Sequence, residues 1–400
     1  MAARCSAAEP VRPDTAAAPR TLLAVLAGAM LLDALEVSIV LPVLPSAEAD
    51  RGTAHWLMSG FAAGFALLLA VGGRLVARLG RRRTYLAALA GFAVASVAAG
   101  LVEDTGWLVA TRVAQGMGAA LTAPAGLAII ATTFPAGAAR RRAVAVYSLF
   151  GAGGFTAGLL LSGALALAHW RWVLVFPAPV ALVLAVLATR VLPHDTLGAG
   201  RGTTVDRLPH RAPQVRAAIG AALLNGSYLA LLVLTTFTTH TAFGWAPWRT
   251  ALALLPACVP LACSSLFGAD LVGRFGAPRL IAAGAACASA GYLLRLTTPE
   301  SYLSGVLPTL LLVGAGFTLS FAALNTQAVD GVPAADTGRA VAFYQCCVQC
   351  GAVLLLTVTA ATATALPIVA GAGVLALAVA LTGLATPPHP TTEAHDGRLP

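Results

Sequence analysis

The chain contains no lysine, and all 25 of its basic residues are arginine. Charged residues of either sign make up only 10% of its 400 positions, against about 25% in an ordinary soluble domain. Aromatic residues are also scarce, at 6%. A soluble chain of this length could not cover its surface with so few charges, because folded proteins keep nearly all Asp, Glu, Lys and Arg outside. The shortage excludes a soluble enzyme and a disordered chain together. The missing lysine also removes any Gly-x-x-x-x-Gly-Lys phosphate loop, so direct ATP coupling within this chain is excluded. No hydrolase or metalloprotease constellation is present. No catalytic residue, enzyme activity or cofactor is therefore expected.

What the chain has in abundance is apolar sequence: 58% of residues, with a mean hydropathy of +0.83. Segments of membrane-spanning length, about 20 residues, fall at 21–44, 56–77, 84–102, 107–134, 143–168 and 172–192. They recur at 217–239, 250–272, 279–298, 303–325, 340–361 and 365–385, twelve in all. The spans at 84–102 and 279–298 are close to the minimum length. The first run is long and carries Asp33 and Glu36, so it reads as a retained span rather than a cleaved signal peptide. The expected division is a tail over 1–20, a six-helix bundle over 21–192, a polar linker over 193–216, a second bundle over 217–386 and a tail over 387–400. The expected class is an all-α membrane protein.

Arginine placement sets the expected topology. If the amino terminus is cytoplasmic, 19 of the 25 arginines fall on the inner side, and only Arg51, Arg171 and Arg249 fall outside. The remaining three, Arg74, Arg112 and Arg295, lie in or near spans. Both termini are then cytoplasmic by the positive-inside rule, in a cell (plasma) membrane. The formal charge of +9 is read as this loop arginine, not as a nucleic-acid surface. All six tryptophans (Trp56, Trp107, Trp170, Trp172, Trp245, Trp248) fall near expected outer span ends. The seven cysteines are odd in number and mostly inside apolar runs. Cys346, Cys347 and Cys350 share one helix with no histidine nearby, so buried thiols are expected rather than a metal site.

The chain also repeats itself. Leu75-Val76-Ala77-Arg78-Leu79-Gly80 returns as Leu271-Val272-Gly273-Arg274-Phe275-Gly276, an offset of 196. Arg142-Ala143-Val144-Ala145-Val146-Tyr147 returns as Arg339-Ala340-Val341-Ala342-Phe343-Tyr344, an offset of 197. Six spans separate the copies, so both halves have the same orientation. Parallel six-span repeats point to a transporter with a central site between two bundles.

At these residues the sequence resembles the major facilitator superfamily, and within it the drug:proton antiporters. The loop Gly73-Arg74-Leu75-Val76-Ala77-Arg78-Leu79-Gly80-Arg81-Arg82 is similar to the family's Gly-x-Leu-x-Asp-Arg-x-Gly-Arg-Arg. Arg112-Val113-Ala114-Gln115-Gly116-Met117-Gly118-Ala119-Ala120 matches its Arg-x-x-Gln-Gly-x-Gly-Ala-Ala. Leu32-Asp33 followed by Leu41-Pro42, and Trp170-Arg171-Trp172 followed by Phe176-Pro177, resemble further antiporter signatures. Two departures stand out. Ala77 occupies the place of the family's loop aspartate, and span five has Gly158-Leu159 and Ser162-Gly163 where antiporters carry Gly-Pro and Gly-Gly.

An ionised carboxylate in hydrocarbon is costly unless it faces a partner or a wet cavity. Asp33 and Glu36 are three apart and share a helical face, so they are the candidate proton carriers. Arg112, expected near the middle or cytoplasmic third of span four, needs a carboxylate or carbonyls. The resemblance implies that it assists proton transfer or tunes the span-one acid. It also implies a gating role for Gly73, Arg78, Gly80, Arg81 and Arg82, whose plainer roles are orientation and lipid contact. Gln115, Asn225, Tyr228, Asn325, Gln345 and Gln349 are the polar span residues expected to line a substrate cavity or to bond between helices. His240 reads as a wet loop residue, and Pro256 and Pro260 as kink sites in span eight.

The expected function is secondary active export of small lipophilic or amphiphilic compounds by proton antiport. The expected partners are that substrate, protons and membrane lipid, for a monomer with no bound metal. The rivals are an uptake carrier or uniporter for a polar metabolite, and a membrane sensor that no longer transports. Reporter fusions test the architecture: alkaline phosphatase fused within 193–216 should stay inactive and a fluorescent protein there should mature, whereas external display would overturn the topology.

Overall fold

The protein is described by a computed structural model covering residues 17–47, 51–135, 137–193, 212–298, 301–333, 336–362 and 364–384. Among these residues helices alone form. Hydrocarbon offers the backbone no hydrogen bonds, so a spanning segment must satisfy its own N–H and C=O groups. The first half comprises α1 (Ala17–Ser38), α2 (Arg51–Leu79), α3 (Arg81–Leu101), α4 (Thr105–Thr133), α5 (Ala138–Leu165), α6 (Arg171–Val175) and α7 (Pro177–Val191). The second comprises α8 (Ala212–Thr241), α9 (Pro247–Phe275), α10 (Ala277–Thr297), α11 (Leu307–Val329), α12 (Thr337–Ala360) and α13 (Ala365–Leu384). Eleven crossings meet the length and apolarity needed for a bilayer, with α6 and α7 counted as one. The long helix α9 supplies the twelfth position.

Proline explains where the expected spans differ from the helices. The first span was expected to run to residue 44, but α1 stops at Ser38 and the chain continues as a 3-10 segment, Leu41–Ala47, containing Pro42 and Pro45. A proline lacks the donor that a continuing α-helix requires. The sixth span is divided at Phe176, because Pro177 opens α7. Helix α1 begins at Ala17, inside the expected tail, and α8 at Ala212, inside the expected linker. Residues 1–16, 194–211 and 385–400, which hold most of the expected tails and linker, lie outside the described residues, as do Cys5 and the side chain of Cys263.

The halves pack by one scheme. In the first, α1 lies on α5, α2 on α4, and α3 on α4 and α7. In the second, α8 lies on α12, α9 on α11, and α10 on α11 and α13. The halves join through α2 against α12 and α5 against α9, which are the same pair under the repeat. Small residues set these approaches, since lipid supplies no hydrophobic drive between helices. A Cβ at Gly158 would stand 2.6 Å from the Leu35 carbonyl of α1. Gly154, one turn earlier, lies as close to the Leu31 backbone, and its repeat counterpart Gly351 of α12 lies directly on the Ala222 backbone of α8. The span-five departures from the antiporter pattern therefore leave close packing on α1 intact.

The two ends of the molecule differ. We call the end where α1 and α8 begin the linker end, and the end bearing Leu41–Ala47 the far end. One apolar core crosses both halves, bringing Ile39, Leu41 and Leu44 together with Leu224, Tyr228 and Leu232. A second core, including Leu22, Leu26, Tyr85, Leu89, Ile129 and Tyr147, contains residues of the first half only and lies toward the linker end. At the far end Gly163 of α5 sits against Ala251 and Trp248 of α9, at 3.0 and 3.1 Å from an added Cβ. Trp56, Trp107, Trp172 and Trp248 are exposed at far-end helix starts, as an interfacial aromatic belt requires.

Gly351→Leu should lower the thermal unfolding midpoint in detergent, by an amount equivalent to about 1–3 kcal/mol or more. Gly371→Leu, where an added Cβ meets nothing within 4 Å, should leave it unchanged.

Candidate functional site

The site begins with the two acids of α1. Glu36 is fully buried two residues before the helix end, and Arg112 of α4 is fully buried against it. Arg112 Nη1 bonds the Glu36 carboxylate and, at 3.0 Å, Gln115 Oε1. Its Nη2 donates to the Glu36 carbonyl at 3.0 Å and its Nε to the Leu57 carbonyl at 3.1 Å. The guanidinium also lies 5.2 Å from the centre of the Phe61 ring. Gln115 passes the network on, donating to Ser96 Oγ at 2.9 Å, and Ser96 donates to the Phe92 carbonyl at 2.9 Å. One charge pair thus ties α1, α2, α3 and α4 together. The second carboxylate oxygen of Glu36 has no hydrogen-bond partner among the described residues.

Arg112 is only the eighth residue of α4, about 10 Å from that helix's far-end start. The expectation that it lies in the middle or cytoplasmic third of span four is corrected. It pairs at the depth of Glu36, near the far end, because that is where α1 presents a carboxylate.

Asp33 stands apart from this pair although it is one helical turn away. It is buried, and Thr122 Oγ1 of α4 donates to its Oδ2 at 2.7 Å. No described cation reaches it. Thr122 was not singled out in the sequence, since most helical threonines only back-bond to their own turn. Here the hydroxyl has the Gly118 and Ala119 carbonyls at 3.3 and 3.2 Å, and the acid is closer. Tyr147 packs beside this part of α4, donating to the Ala123 carbonyl at 2.9 Å.

The other candidate residues fall in three places. Gln115 is enclosed within the first half, as described. In the second half, Asn225 donates to the Val348 carbonyl of α12 at 3.3 Å and Asn325 to the Phe321 carbonyl of its own helix at 2.9 Å. Tyr228 donates to the Ala257 carbonyl at 3.3 Å. Its ring lies 4.6 Å from Phe317 and 6.2 Å from Phe155 of the first half. Gln345 and Gln349 are half-buried on α12. Cys346, beside them, reaches the Ala66 carbonyl of α2 at 3.6 Å, so this face of α12 adjoins the other half. Asn225, Tyr228, Asn325, Gln345 and Gln349 thus sit on α8, α11 and α12 of the second half, whereas the two acids belong to α1 of the first.

The gating candidates gather at the linker end. Gly80 has φ +85°, and its repeat counterpart Gly276 has φ +79°; each connects two spans in a single residue. Gly73 lies within α2, and Arg78 is exposed at its last turn. Arg81 and Arg82 are half-buried at the start of α3, and Arg82 Nη2 donates to the Thr189 carbonyl of α7 at 2.6 Å. His240 is exposed at the end of α8. Helix α9 runs through Pro256 and Pro260 without a break. The five described cysteines are free thiols, and no group of three potential metal ligands occurs among the described residues.

Comparison with known proteins agrees with this arrangement. Residues 26–356 match the description Major Facilitator Superfamily. The chain is 30% identical over 400 aligned residues to the puromycin resistance protein pur8 of Streptomyces alboniger, spanning 83% of this chain and 79% of that protein. It is 32% identical over 299 residues to the cephamycin export protein CmcT of Amycolatopsis lactamdurans, spanning 69% of this chain and 58% of that protein. Among solved structures, the nucleoside transporter NupG shares the fold with a TM-score of 0.71 at 13% identity, covering 92% of this chain and 99% of that one. With its repeat, its crossings and this match over most of its length, the chain is a multi-pass membrane protein that belongs to the major facilitator superfamily.

Proposed function

We propose that the protein exports small lipophilic or amphiphilic compounds across the cell membrane by proton antiport with alternating access. Asp33 carries this reading. It is a buried carboxyl in a membrane helix, held by one hydroxyl and balanced by no described cation. Such a group is tolerable in hydrocarbon chiefly as the neutral acid, and ionises when water or cargo reaches it. Glu36 is different, because Arg112 fixes it as one half of an ion pair. We assign proton exchange to Asp33 and the fastening of α1 to α4 to Glu36 and Arg112.

The halves share a core at the far end, while the second core stays within the first half toward the linker end. Cargo then enters from the linker end, which the arginine distribution assigns to the cytoplasm, and leaves once the far-end core parts. Coupling follows when the two protonation states of Asp33 differ in their affinity for cargo. The aromatic contacts of Phe155, Tyr228 and Phe317 suit a compound with an apolar body. The puromycin resistance and cephamycin export relatives support antibiotics as the cargo class.

The decisive measurement is proton movement in everted vesicles with puromycin and a panel of amphiphilic antibiotics as cargo. Wild type should release protons on addition of at least one compound and raise its inhibitory concentration several-fold in an efflux-deficient host. Asp33→Asn should abolish both while folding normally. Unchanged transport in that variant would remove Asp33 from the mechanism, and binding without flux would favour a sensor. Glu36→Gln should instead fail in stability, by about 3–5 kcal/mol, because it strands the buried Arg112 charge. The paired change Glu36→Gln with Arg112→Met should recover much of that loss in a thermal unfolding assay.

A further inference from the structure

We propose that the Tyr85 hydroxyl of α3 is a positioning group for Asp33, turning to its carboxylate as a second hydrogen-bond donor when the proton leaves. The inference rests on the reading of Asp33 as the proton-exchanging group. Helix α4 brings the two residues together. A Cβ added at Gly118 would stand 3.2 Å from the Ala88 carbonyl and 3.3 Å from the Phe92 Cβ, so α3 and α4 nearly touch there. The two helices run antiparallel. One turn nearer the linker end, Thr122 follows Gly118 on α4 and Tyr85 precedes Ala88 on α3, on the same contacting faces. Thr122 is the residue that holds Asp33. One turn further on, a Cβ at Gly126 would meet Tyr147 Oη at 2.9 Å. Tyr85 and Tyr147 share the apolar core of the first half, and both lie within electrostatic reach of Asp33 and of each other.

Tyr85 is fully buried, and its hydroxyl has no hydrogen-bond partner among the described residues. A stranded hydroxyl is unfavourable, and Phe would fill the same volume without one. The other groups near Asp33 are committed. Thr122 already donates to it, and Tyr147 donates to the Ala123 carbonyl. Glu36, one turn away on α1, is paired with Arg112 of α4. The remaining charges on the surrounding helices lie at their linker-end turns: Arg20 of α1, Arg81, Arg82 and Arg83 of α3, Arg140, Arg141 and Arg142 of α5, and Arg190 of α7. As the neutral acid, Asp33 is answered by Thr122. Once ionised it is an acceptor at both oxygens, and a bond to a charged acceptor is stronger than a neutral one. Tyr85 is the donor held in reserve for that state. It keeps its own proton throughout and lends a hydrogen bond, directly or through one water.

The test is infrared difference spectroscopy of the purified full-length protein in lipid nanodiscs, between acidic and mildly alkaline buffer, with no cargo present. Wild type should lose a carboxylic C=O band, assigned to Asp33 by its absence in Asp33→Asn, and a tyrosine C–O band should shift in step with it. Tyr85→Phe should keep the carboxyl change and lose the tyrosine change. Tyr147→Phe and Tyr292→Phe, whose hydroxyls are bonded to Ala123 and Ser227, should keep both. A tyrosine change that survives in Tyr85→Phe, or is missing from wild type, would overturn the assignment. Its loss in Tyr147→Phe alone would give the role to that residue and overturn it as well. Tyr85→Phe should hold the wild-type thermal midpoint or exceed it. A fall would mean that the hydroxyl is bonded in the resting fold, which contradicts a reserved donor. A wild-type Asp33 that shows no carboxyl change would sink proton exchange itself, and this inference with it. A carboxyl change without a tyrosine partner would sink this inference alone.

Discussion

Hydrocarbon contains nothing that can hydrogen-bond, so every polar group between the headgroups must be answered by another group of the chain. Arg112 is the most demanding case. It makes four described hydrogen bonds, to Glu36 twice, to Gln115 and to Leu57. Those partners sit on α1, α2 and α4, and Gln115 extends the chain of bonds to α3. The need to neutralise one guanidinium therefore organises a third of the helices. Asp33, one turn away, is outside that arrangement and is held by the Thr122 hydroxyl instead.

In the second half the described hydrogen bonds between spans join neutral groups. Tyr292 donates to Ser227 at 3.0 Å, Tyr228 lies 3.5 Å from the Cys258 thiol, and Asn225 caps a carbonyl of α12. These bonds are neutral and locally satisfied. Packing of small residues against backbone, as at Gly351 and Gly158, supplies the remaining cohesion in both halves. The backbone scheme is thus duplicated while the polar chemistry is not.

Much of the architecture was legible in the residue order. Apolar runs marked all twelve crossings, and two short repeats marked the doubling, because membrane length and hydropathy are local properties. The end of span one was not legible as a helix end, since Leu41 and Leu44 continue the apolar run and only Pro42 and Pro45 oppose it. The pairing of Arg112 was hidden for a different reason. Asp33 and Glu36 project from one face of α1, and only the height at which α4 crosses decides which acid meets the guanidinium. Thr122 was hidden because its hydroxyl would ordinarily bond its own helix.

The buried ion pair between α1 and α4 has a consequence for how such a chain can vary. A substitution at Asn225 of α8 or Phe317 of α11 changes contour and polarity against neutral neighbours. A substitution of Glu36 or Arg112 alone breaks a buried ion pair and leaves the partner's charge uncompensated. The repeat makes the two scaffolds alike in packing, while the first is in addition held to one buried pair of charges.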